Sequence, residues 1–254
     1  DETDFLKPNQ QFPSVDGKRS MQVYLARMRE ALEDYESVAG RTAVPDFEYI
    51  PFHTPFPGMV RKAGLLGYRH MIRGTEKEDE LADRIGRQPR EGEYDSWDDY
   101  EEAIRGYMDD LKETDEYREW YGRVIDPTLS LARRVGNWYT GSVHVARASA
   151  LKHAYETGKA MTGKQLLVGS YGSGAQAEIH AETVREGWQD EIEALNVDEQ
   201  LAGRYDLDFD EYEQVHDAHN HEKDVELEEF TAPANEFVFT GWGRMNERKY
   251  EYVE

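Results

Sequence analysis

One segment, KQLLVGSYGSGAQAEIHAETV at residues 164–184, limits the possible folds of this chain more than any other. It begins with an apolar run, passes through a glycine-rich stretch and ends in alternating apolar and polar residues. The apolar run predicts a buried strand, and the alternation predicts a second strand with one exposed face. The segment is therefore a hairpin, or a strand–turn–strand arrangement at a site. Because helical patterns surround it, we predict a layered α/β fold.

Helices and a short strand are predicted before this segment. Apolar residues at helical spacing predict a helix over residues 20–40, with Ser20 as its N-cap and Gly40 at its end. FEYIPF at 47–52 predicts a short strand. Pro57 suits the first turn of the helix that follows.

The remaining elements are predicted from sparser signals. Residues 75–125 are rich in charge, and their apolar residues predict two or three surface helices broken near Pro89–Gly92. Residues 127–163 predict two helices with a break at Gly136–Asn137. Residues 235–253 predict two closing strands.

The charge of the chain is strongly acidic. Its 254 residues include 53 acidic and 30 basic residues, of which only 10 are lysines, and the formal net charge is −23. This excess repels nucleic acids and anionic membranes, and it destabilises the compact state unless salt screens it. Few lysines and no cysteine complete a pattern typical of a cytoplasmic protein from an organism with multimolar internal salt. An acidic mesophilic enzyme is the alternative.

The absence of cysteine excludes several kinds of site from this chain. It rules out a disulfide framework, a cysteine-based zinc site and a cysteine nucleophile. No run of 18 apolar residues is present, so the sequence predicts no membrane-spanning helix.

Two glycine-bearing motifs each have a structural and a functional interpretation. GSYGSG at 169–174 lacks the lysine of a P-loop and the spacing of a nucleophile elbow. It is either a tight hairpin turn or a loop whose N–H groups hold an oxyanion. GNWYTGS at 136–142 places an amide and hydroxyls before a helix, and capping by Asn137 or Thr140 would explain it without any function.

The eight histidines give no complete catalytic pattern. HDAHNH at 216–221 could supply three imidazoles to zinc, but its surroundings are polar and acidic, which favours a surface loop or helix end. Structural roles are expected for His144, His153 and His180. His53 stands alone between the predicted strand and helix, so its spacing alone favours a structural role.

Taken together and in order, five motifs resemble one family, the hydroxymethylglutaryl-CoA synthases. The resemblance extends from about residue 4 to the C-terminus. The motifs are DFLKPNQQFPSVDGKRSMQVYL (4–25), FHTPFPGMVRKA (52–63), GNWYTGSV (136–143), VGSYGSGA (168–175) and the charged ending with NERKYEY (246–252).

The resemblance implies that residues 1–254 are the C-terminal portion of such an enzyme. The fold expected is the C-terminal half of a thiolase-like α/β fold, a mixed sheet with helices within an αβαβα arrangement, with residues 75–125 as an acidic helical surface segment. Because the chain opens on Asp1 in what reads as a loop, we expect a separate N-terminal half with the family's catalytic cysteine and glutamate. A homodimer is also expected.

The resemblance further implies the reaction and its substrates. The family condenses acetyl-CoA with acetoacetyl-CoA to 3-hydroxy-3-methylglutaryl-CoA, which feeds the mevalonate route to isoprenoid lipids. Coenzyme A thioesters are then substrates, and neither a cofactor nor a metal is expected. This chain alone should lack turnover, because it has no nucleophile.

Four residues take roles from the family's motifs. His53 matches the histidine that holds the acetoacetyl group, and Asn137 matches an asparagine that orients the acyl groups. Ser170 matches a serine whose backbone N–H helps hold the thioester oxygen. Lys62 matches a basic residue that faces coenzyme A. The family's other lysine is replaced by Gly58, so another residue, such as Arg61, must take its part.

Two other functions remain open from the sequence. A chain without its own cysteine could be a non-catalytic thiolase-like scaffold or an acyl-CoA-binding subunit. A zinc hydrolase using His216, His219 and His221 would require stoichiometric metal.

The acidic composition yields a test of salt dependence. We expect the thermal midpoint of unfolding to be higher in multimolar KCl than in low salt, because salt screens the repulsion among carboxylates. Thermal melts followed by circular dichroism in both solutions measure it. Equal midpoints would contradict the halophilic interpretation.

Overall fold

A computed structural model gives the fold of the chain. It describes residues 5–6, 14–40, 47–172, 174–221, 234, 236–242 and 248–253. By internal contacts the chain divides into two compact units, residues 1–192 and 193–254. No helix within the described ranges is long and apolar enough to cross a membrane.

Helices account for most of the regular structure. The helices are α1 (Gly17–Ala39), α2 (Pro57–Ile72), α3 (Glu76–Ile85), α4 (Trp97–Leu111), α5 (Asp115–Val124), α6 (Ala132–Val135), α7 (Ser142–Glu156), α8 (Trp188–Leu195), α9 (Val197–Ala202) and α10 (Phe209–His221). The strands are β1 (Phe5–Leu6), β2 (Ser14–Val15), β3 (Phe47–Tyr49), β4 (Gln165–Gly172), β5 (Gln176–Thr183), β6 (Glu236–Trp242) and β7 (Arg248–Val253).

A mixed sheet of three strands, in the order β3-β4-β5, forms the centre of the first unit. β3 runs parallel to β4, and β5 returns antiparallel to β4 over its full length, from Gln165 opposite Thr183 to Gly172 opposite Gln176. The hairpin interpretation of residues 164–184 is therefore confirmed. Gly174 and Ala175 make the turn with positive φ angles.

Both faces of β4 are buried, which explains its continuous apolar run. On one face Leu167 packs in a core cluster with Tyr24 and Met28 of α1. On the other face Leu166 packs with a second cluster, to which α7 contributes Ala150. Because successive side chains of a strand point to opposite faces, the sheet lies between helical layers, as the α/β prediction requires.

Helix α1 begins one turn earlier than predicted. Its N-cap is Asp16, whose carboxylate accepts hydrogen bonds from the N–H groups of Lys18 and Arg19 at 3.0 and 3.1 Å. Ser20, the predicted N-cap, lies inside the helix and donates its N–H to the Asp16 carbonyl. Aspartate is a strong N-cap, and its charge also complements the helix dipole.

Strand β3 is shorter than the predicted 47–52. It ends at Tyr49 because Pro51 has no N–H to donate to a ladder. The carbonyl of Pro51 instead accepts a hydrogen bond from Gly169 at 3.0 Å, and Phe52 forms an isolated parallel bridge with Gly169. The chain thus stays against β4 up to His53.

Three helices, α3, α4 and α5, occupy the charged segment 75–125, and the predicted break near Pro89–Gly92 lies between α3 and α4. Each helix is amphipathic. The buried side chains Leu81, Leu111 and Trp120 belong to the same core cluster as α1 and β4. The exposed faces carry the acidic residues, except Glu78 of α3, which is buried.

The second unit contains α9 and α10 together with the antiparallel pair β6–β7. The pairing runs from Glu236 opposite Val253 to Trp242 opposite Arg248, with a register shift between Phe239 and Gly241. The two closing strands predicted for residues 235–253 are therefore confirmed.

The contact between Gly169 and Phe52 predicts the effect of a substitution. An ideal Cβ on Gly169 would lie 2.5 Å from Cδ1 of the buried Phe52 ring, so we expect Gly169→Ala to destabilise the fold by about 1–3 kcal/mol. Chemical denaturation measures the change.

Gly172→Ala is the matched control on the same strand, because a Cβ there meets nothing within 4 Å. Equal stability of the two variants would contradict the close-packing argument.

Candidate active site

His53 lies directly after the bridge to β4, between β3 and α2. Its backbone N–H donates to the carbonyl of Gly169 at 2.7 Å, and its own carbonyl accepts the Tyr24 hydroxyl of α1 at 2.9 Å. Only 7% of the residue is exposed. Two secondary-structure elements therefore fix the backbone of this histidine.

A buried serine fixes the ring of His53. Ser142 Oγ lies 2.8 Å from His53 Nδ1, and the same oxygen accepts the N–H of Thr54 at 2.9 Å. Ser142 begins α7 and is 2% exposed. The three residues form a closed network between the sheet and the N-terminus of α7.

This network favours one tautomer of His53. Because the described residues offer the Ser142 hydroxyl hydrogen no acceptor other than Nδ1 of His53, we assign that hydrogen to a bond with Nδ1. In a neutral imidazole with Nδ1 as acceptor, Nε2 carries the N–H. Burial lowers the pKa of His53, which favours this neutral form. The side chain is therefore held as a hydrogen-bond donor through Nε2.

Aromatic rings enclose His53 on the α1 side. The ring centroids of Tyr24 and Tyr171 lie 6.4 and 5.7 Å from that of His53, and the two tyrosines pack edge to face at 5.1 Å. Burial raises the pKa of Tyr24, so its hydroxyl remains a donor to the His53 carbonyl.

Tyr24, Thr54 and Ser142 were not predicted as site residues. Tyr24 and Ser142 lie within two of the motifs on which the family resemblance rests, at 4–25 and 136–143. Their position within these motifs is therefore the signal by which the sequence could have identified Tyr24 and Ser142 as site residues.

Asn137 occupies an exposed turn before α7. Its Oδ1 accepts the N–H of Tyr139 at 2.8 Å, and Tyr139 has a positive φ of 49°. This local bond agrees with the capping interpretation of the segment. Within the described residues, no hydrogen bond joins Asn137 to His53.

Ser170 follows Gly169 on β4 and is partly buried. It lines an open cleft of about 630 Å³ together with Arg27 and Glu30 of α1. Its strand thus adjoins the backbone anchor of His53, although the described hydrogen bonds include none between the two residues.

The basic residues predicted to face coenzyme A lie on the exposed side of α2. Lys62 Nζ is 2.9 Å from Met21 Sδ of α1, and Arg61 is exposed beside it. At Gly58, a Cβ would lie 2.9 Å from the ring of Phe56, which is half exposed. Gly58, Arg61 and Lys62 lie on α2, the helix that follows His53. None of them is among the described contacts of the His53 side chain.

The possible zinc motif lies on α10. His216 is exposed, and its Nδ1 lies 3.9 Å from Asp217 Oδ1. The side chains of His219 and His221 lie outside the described residues. Among the side chains that are described, no group of three or more potential metal ligands occurs.

Solved structures share this arrangement of sheet and helices. The hydroxymethylglutaryl (HMG) synthase of the curacin biosynthetic pathway has a TM-score of 0.71 and 23% identity, covering 98% of this chain and 55% of that one. MvaS in complex with 3-hydroxy-3-methylglutaryl coenzyme A has a TM-score of 0.68 and 24% identity, covering 99% and 55%. The fold is thus of the thiolase-like α/β class.

The sequence comparisons define the family within that class. Residues 1–240 match the family model of the hydroxymethylglutaryl-coenzyme A synthase C terminal, and the chain belongs to this family.

Two curated relatives show how much of such a protein the chain represents. It is 77% identical over 254 residues to the hydroxymethylglutaryl-CoA synthase of Haloferax volcanii, covering all of this chain and 57% of the relative. Identity to the Mycosarcoma maydis enzyme is 25%, over 89% of this chain and 52% of that protein. The chain spans about half the length of these relatives.

The tautomer assigned to His53 can be tested by substitution of Ser142. In Ser142→Ala, the buried Thr54 N–H loses its acceptor, which should cost about 1–3 kcal/mol of stability, and Nδ1 of His53 loses its donor. Two-bond ¹⁵N–¹H correlation spectra should show the Nε2–H tautomer in the parent chain and a shift in tautomer population in the variant.

Ser149→Ala is a control for loss of a buried serine on the same helix, since Ser149 bonds to Val145 and Leu131 instead. A parent spectrum with Nδ1 protonated would contradict the assignment.

Proposed function

We propose that this chain is the C-terminal portion of a hydroxymethylglutaryl-CoA synthase of the mevalonate pathway. In this proposal it supplies the histidine that holds acetoacetyl-CoA, while an N-terminal half supplies a cysteine and a glutamate. The family membership of residues 1–240 supports the reaction class. The observation that carries the proposal is the buried His53, whose Nδ1 lies 2.8 Å from Ser142 Oγ and whose Nε2 we assign as a donor.

The proposed reaction forms one carbon–carbon bond. The cysteine thiolate takes the acetyl group from acetyl-CoA and releases coenzyme A. The glutamate removes a proton from the acetyl methyl group, and the resulting carbanion adds to the ketone carbon of acetoacetyl-CoA. The ketone oxygen becomes an alkoxide and is protonated, and water then hydrolyses the thioester to the cysteine and frees 3-hydroxy-3-methylglutaryl-CoA.

In this scheme His53 acts on the ketone oxygen. A neutral imidazole N–H stabilises the developing alkoxide, and it does so most strongly where water is excluded. The Nε2–H tautomer and the lowered pKa of His53 fit this task, because the donor is present near neutral pH without a buried charge. Ser142 and Tyr24 position the ring and the backbone of His53.

The other site residues keep secondary roles in the proposal. Asn137 orients the acyl groups, and the backbone N–H of Ser170 helps hold the thioester oxygen. Lys62 contacts coenzyme A, with Arg61 in place of a lysine at position 58, since exposed cations on one helix suit a phosphate. The enzyme would be a cytoplasmic homodimer that requires no resident cofactor.

A second candidate function rests on the absence of cysteine from the chain. The chain would then be a non-catalytic thiolase-like scaffold or an acyl-CoA-binding subunit. The two functions predict different results when a cysteine-bearing half is added. Turnover should appear if the chain is part of the synthase, and it should not appear if the chain is a scaffold.

The test combines this chain with the part of the Haloferax volcanii relative that it does not cover. We expect the combination to form 3-hydroxy-3-methylglutaryl-CoA from acetyl-CoA and acetoacetyl-CoA. His53→Ala should lower condensation by about 10²–10³-fold, the cost typical of losing one oxyanion donor. Acetylation of the cysteine, measured with labelled acetyl-CoA, should remain largely intact.

His216→Ala serves as the matched control, because this exposed histidine belongs to none of the motifs that carry the family resemblance. Unchanged condensation in His53→Ala would refute the role of His53. A folded, associated pair of halves without turnover would support the scaffold function.

A further inference from the structure

A cleft lined by arginines lies at the C-terminal ends of α1 and α2. Its inner part is lined by Arg29 of α1 and Arg69 of α2, its outer part by Arg90 from the segment after α3, and both parts by Arg73, which directly follows α2. Along α1, twelve residues separate Tyr24, which contacts His53, from Glu36 in the cleft. At 1.5 Å per residue the cleft lies about 18 Å from the candidate active site.

Hydrogen bonds fix the walls of this cleft. His70 Nε2 lies 2.9 Å from Glu36 Oε2 and joins α2 to α1. The Gln88 side chain, which is 3% exposed, donates to the carbonyl of Arg69 at 2.9 Å and holds the segment before Arg90 against α2. These bonds fix the segments that carry the arginines of the cleft, while the side chains of Arg73 and Arg90 themselves are exposed.

Four arginines line this one cleft, and three of them form no ion pair among the described residues. These are Arg69, Arg73 and Arg90, whereas Arg29 lies 4.0 Å from Glu33. Arg61 and Arg105 also form no described ion pair, so the lack of a partner alone does not set the cleft apart. What sets it apart is that several arginines line one concave surface in a chain with 53 acidic and 30 basic residues.

The helix dipole explains only part of this arrangement. Cations in the last turn of α2 complement its C-terminus, which accounts for Arg69 and His70. It does not account for Arg90, which comes from a different segment, or for the unsatisfied N–H of Arg69. A phosphate-type oxyanion would accept from the guanidinium groups that line the cleft.

We propose that this cleft binds a small molecule through a phosphate-type oxyanion. Guanidinium groups match such oxygens with two parallel hydrogen bonds. The inner pocket has a volume of about 70 Å³, which is enough for a small oxyanion. The outer cleft of about 530 Å³ has the size of a ligand pocket.

Two glutamates also line the cleft. Glu36 Oε2 lies 2.9 Å from His70 Nε2 while its Oε1 is buried without a partner, and Glu33 lies 4.0 Å from Arg29. The cleft therefore retains the positive charges of Arg69, Arg73 and Arg90. The proposal is independent of the function assigned to His53, because none of its residues takes part in that site.

Calorimetric titration of the purified chain with inorganic phosphate, at constant KCl concentration, tests the proposal. We expect saturable binding at one site per chain. Arg73→Gln and Arg90→Gln should each weaken it at least tenfold. Arg73→Lys should also weaken it, since lysine keeps the charge but loses the fork of donors.

Arg105→Gln on α4 is the matched control, because Arg105 is exposed and does not line the cleft. It removes the same charge and should leave the affinity unchanged. Far-UV circular dichroism verifies that each variant is folded. Absence of saturable binding to the parent chain, or an equal loss in Arg105→Gln, would overturn the proposal.

Discussion

The close approach of two backbones at Gly169 is the constraint on which the site depends. The ring of Phe52 occupies the space that a side chain at position 169 would need. Gly169 therefore allows the segment after β3 to lie against β4, where it exchanges hydrogen bonds through Pro51 and His53. Without this contact, the segment that leads to His53 and α2 would lose its hydrogen bonds to β4.

The same contact explains the chemistry of His53. Once the backbone is fixed, the imidazole reaches the buried hydroxyl of Ser142 at the start of α7. Burial disfavours the charged ring, and the hydroxyl selects one tautomer, so packing and hydrogen bonding lead to the same neutral donor. A histidine on an exposed loop would have neither property.

Local sequence signals were sufficient for most of the fold. The hairpin of β4 and β5, the helix that begins at Pro57 and the closing strands follow from periodicity, proline and glycine. The predicted ends of two elements were wrong because a capping side chain in one case, and the missing N–H of a proline in the other, set the actual end. Asp16 extended α1 by a turn, and Pro51 shortened β3.

The partners within the site could not be predicted in this way. Ser142 and His53 are separated by 89 positions, and their hydrogen bond exists only because the sheet and α7 are packed together. Periodicity contains no information about such a pair. The resemblance to a family singled out His53, but it singled out Asn137, which makes a local turn, rather than Ser142. Motifs identify segments, whereas tertiary packing decides which residue of a segment makes the contact.

The acidic surface and the apolar core of this chain use opposite faces of the same helices. Carboxylates cover the exposed faces of α3, α4 and α5, while the inner faces of these helices contribute large apolar side chains to the core. Most acidic residues of these helices therefore stay outside the core, and Glu78 of α3 is the buried exception. The cleft between α1 and α2 departs from the acidic pattern of the surface. There the Gln88 hydrogen bond and the His70–Glu36 pair fix the segments that carry four arginines, so the fold gathers positive charge at one place in a strongly acidic chain.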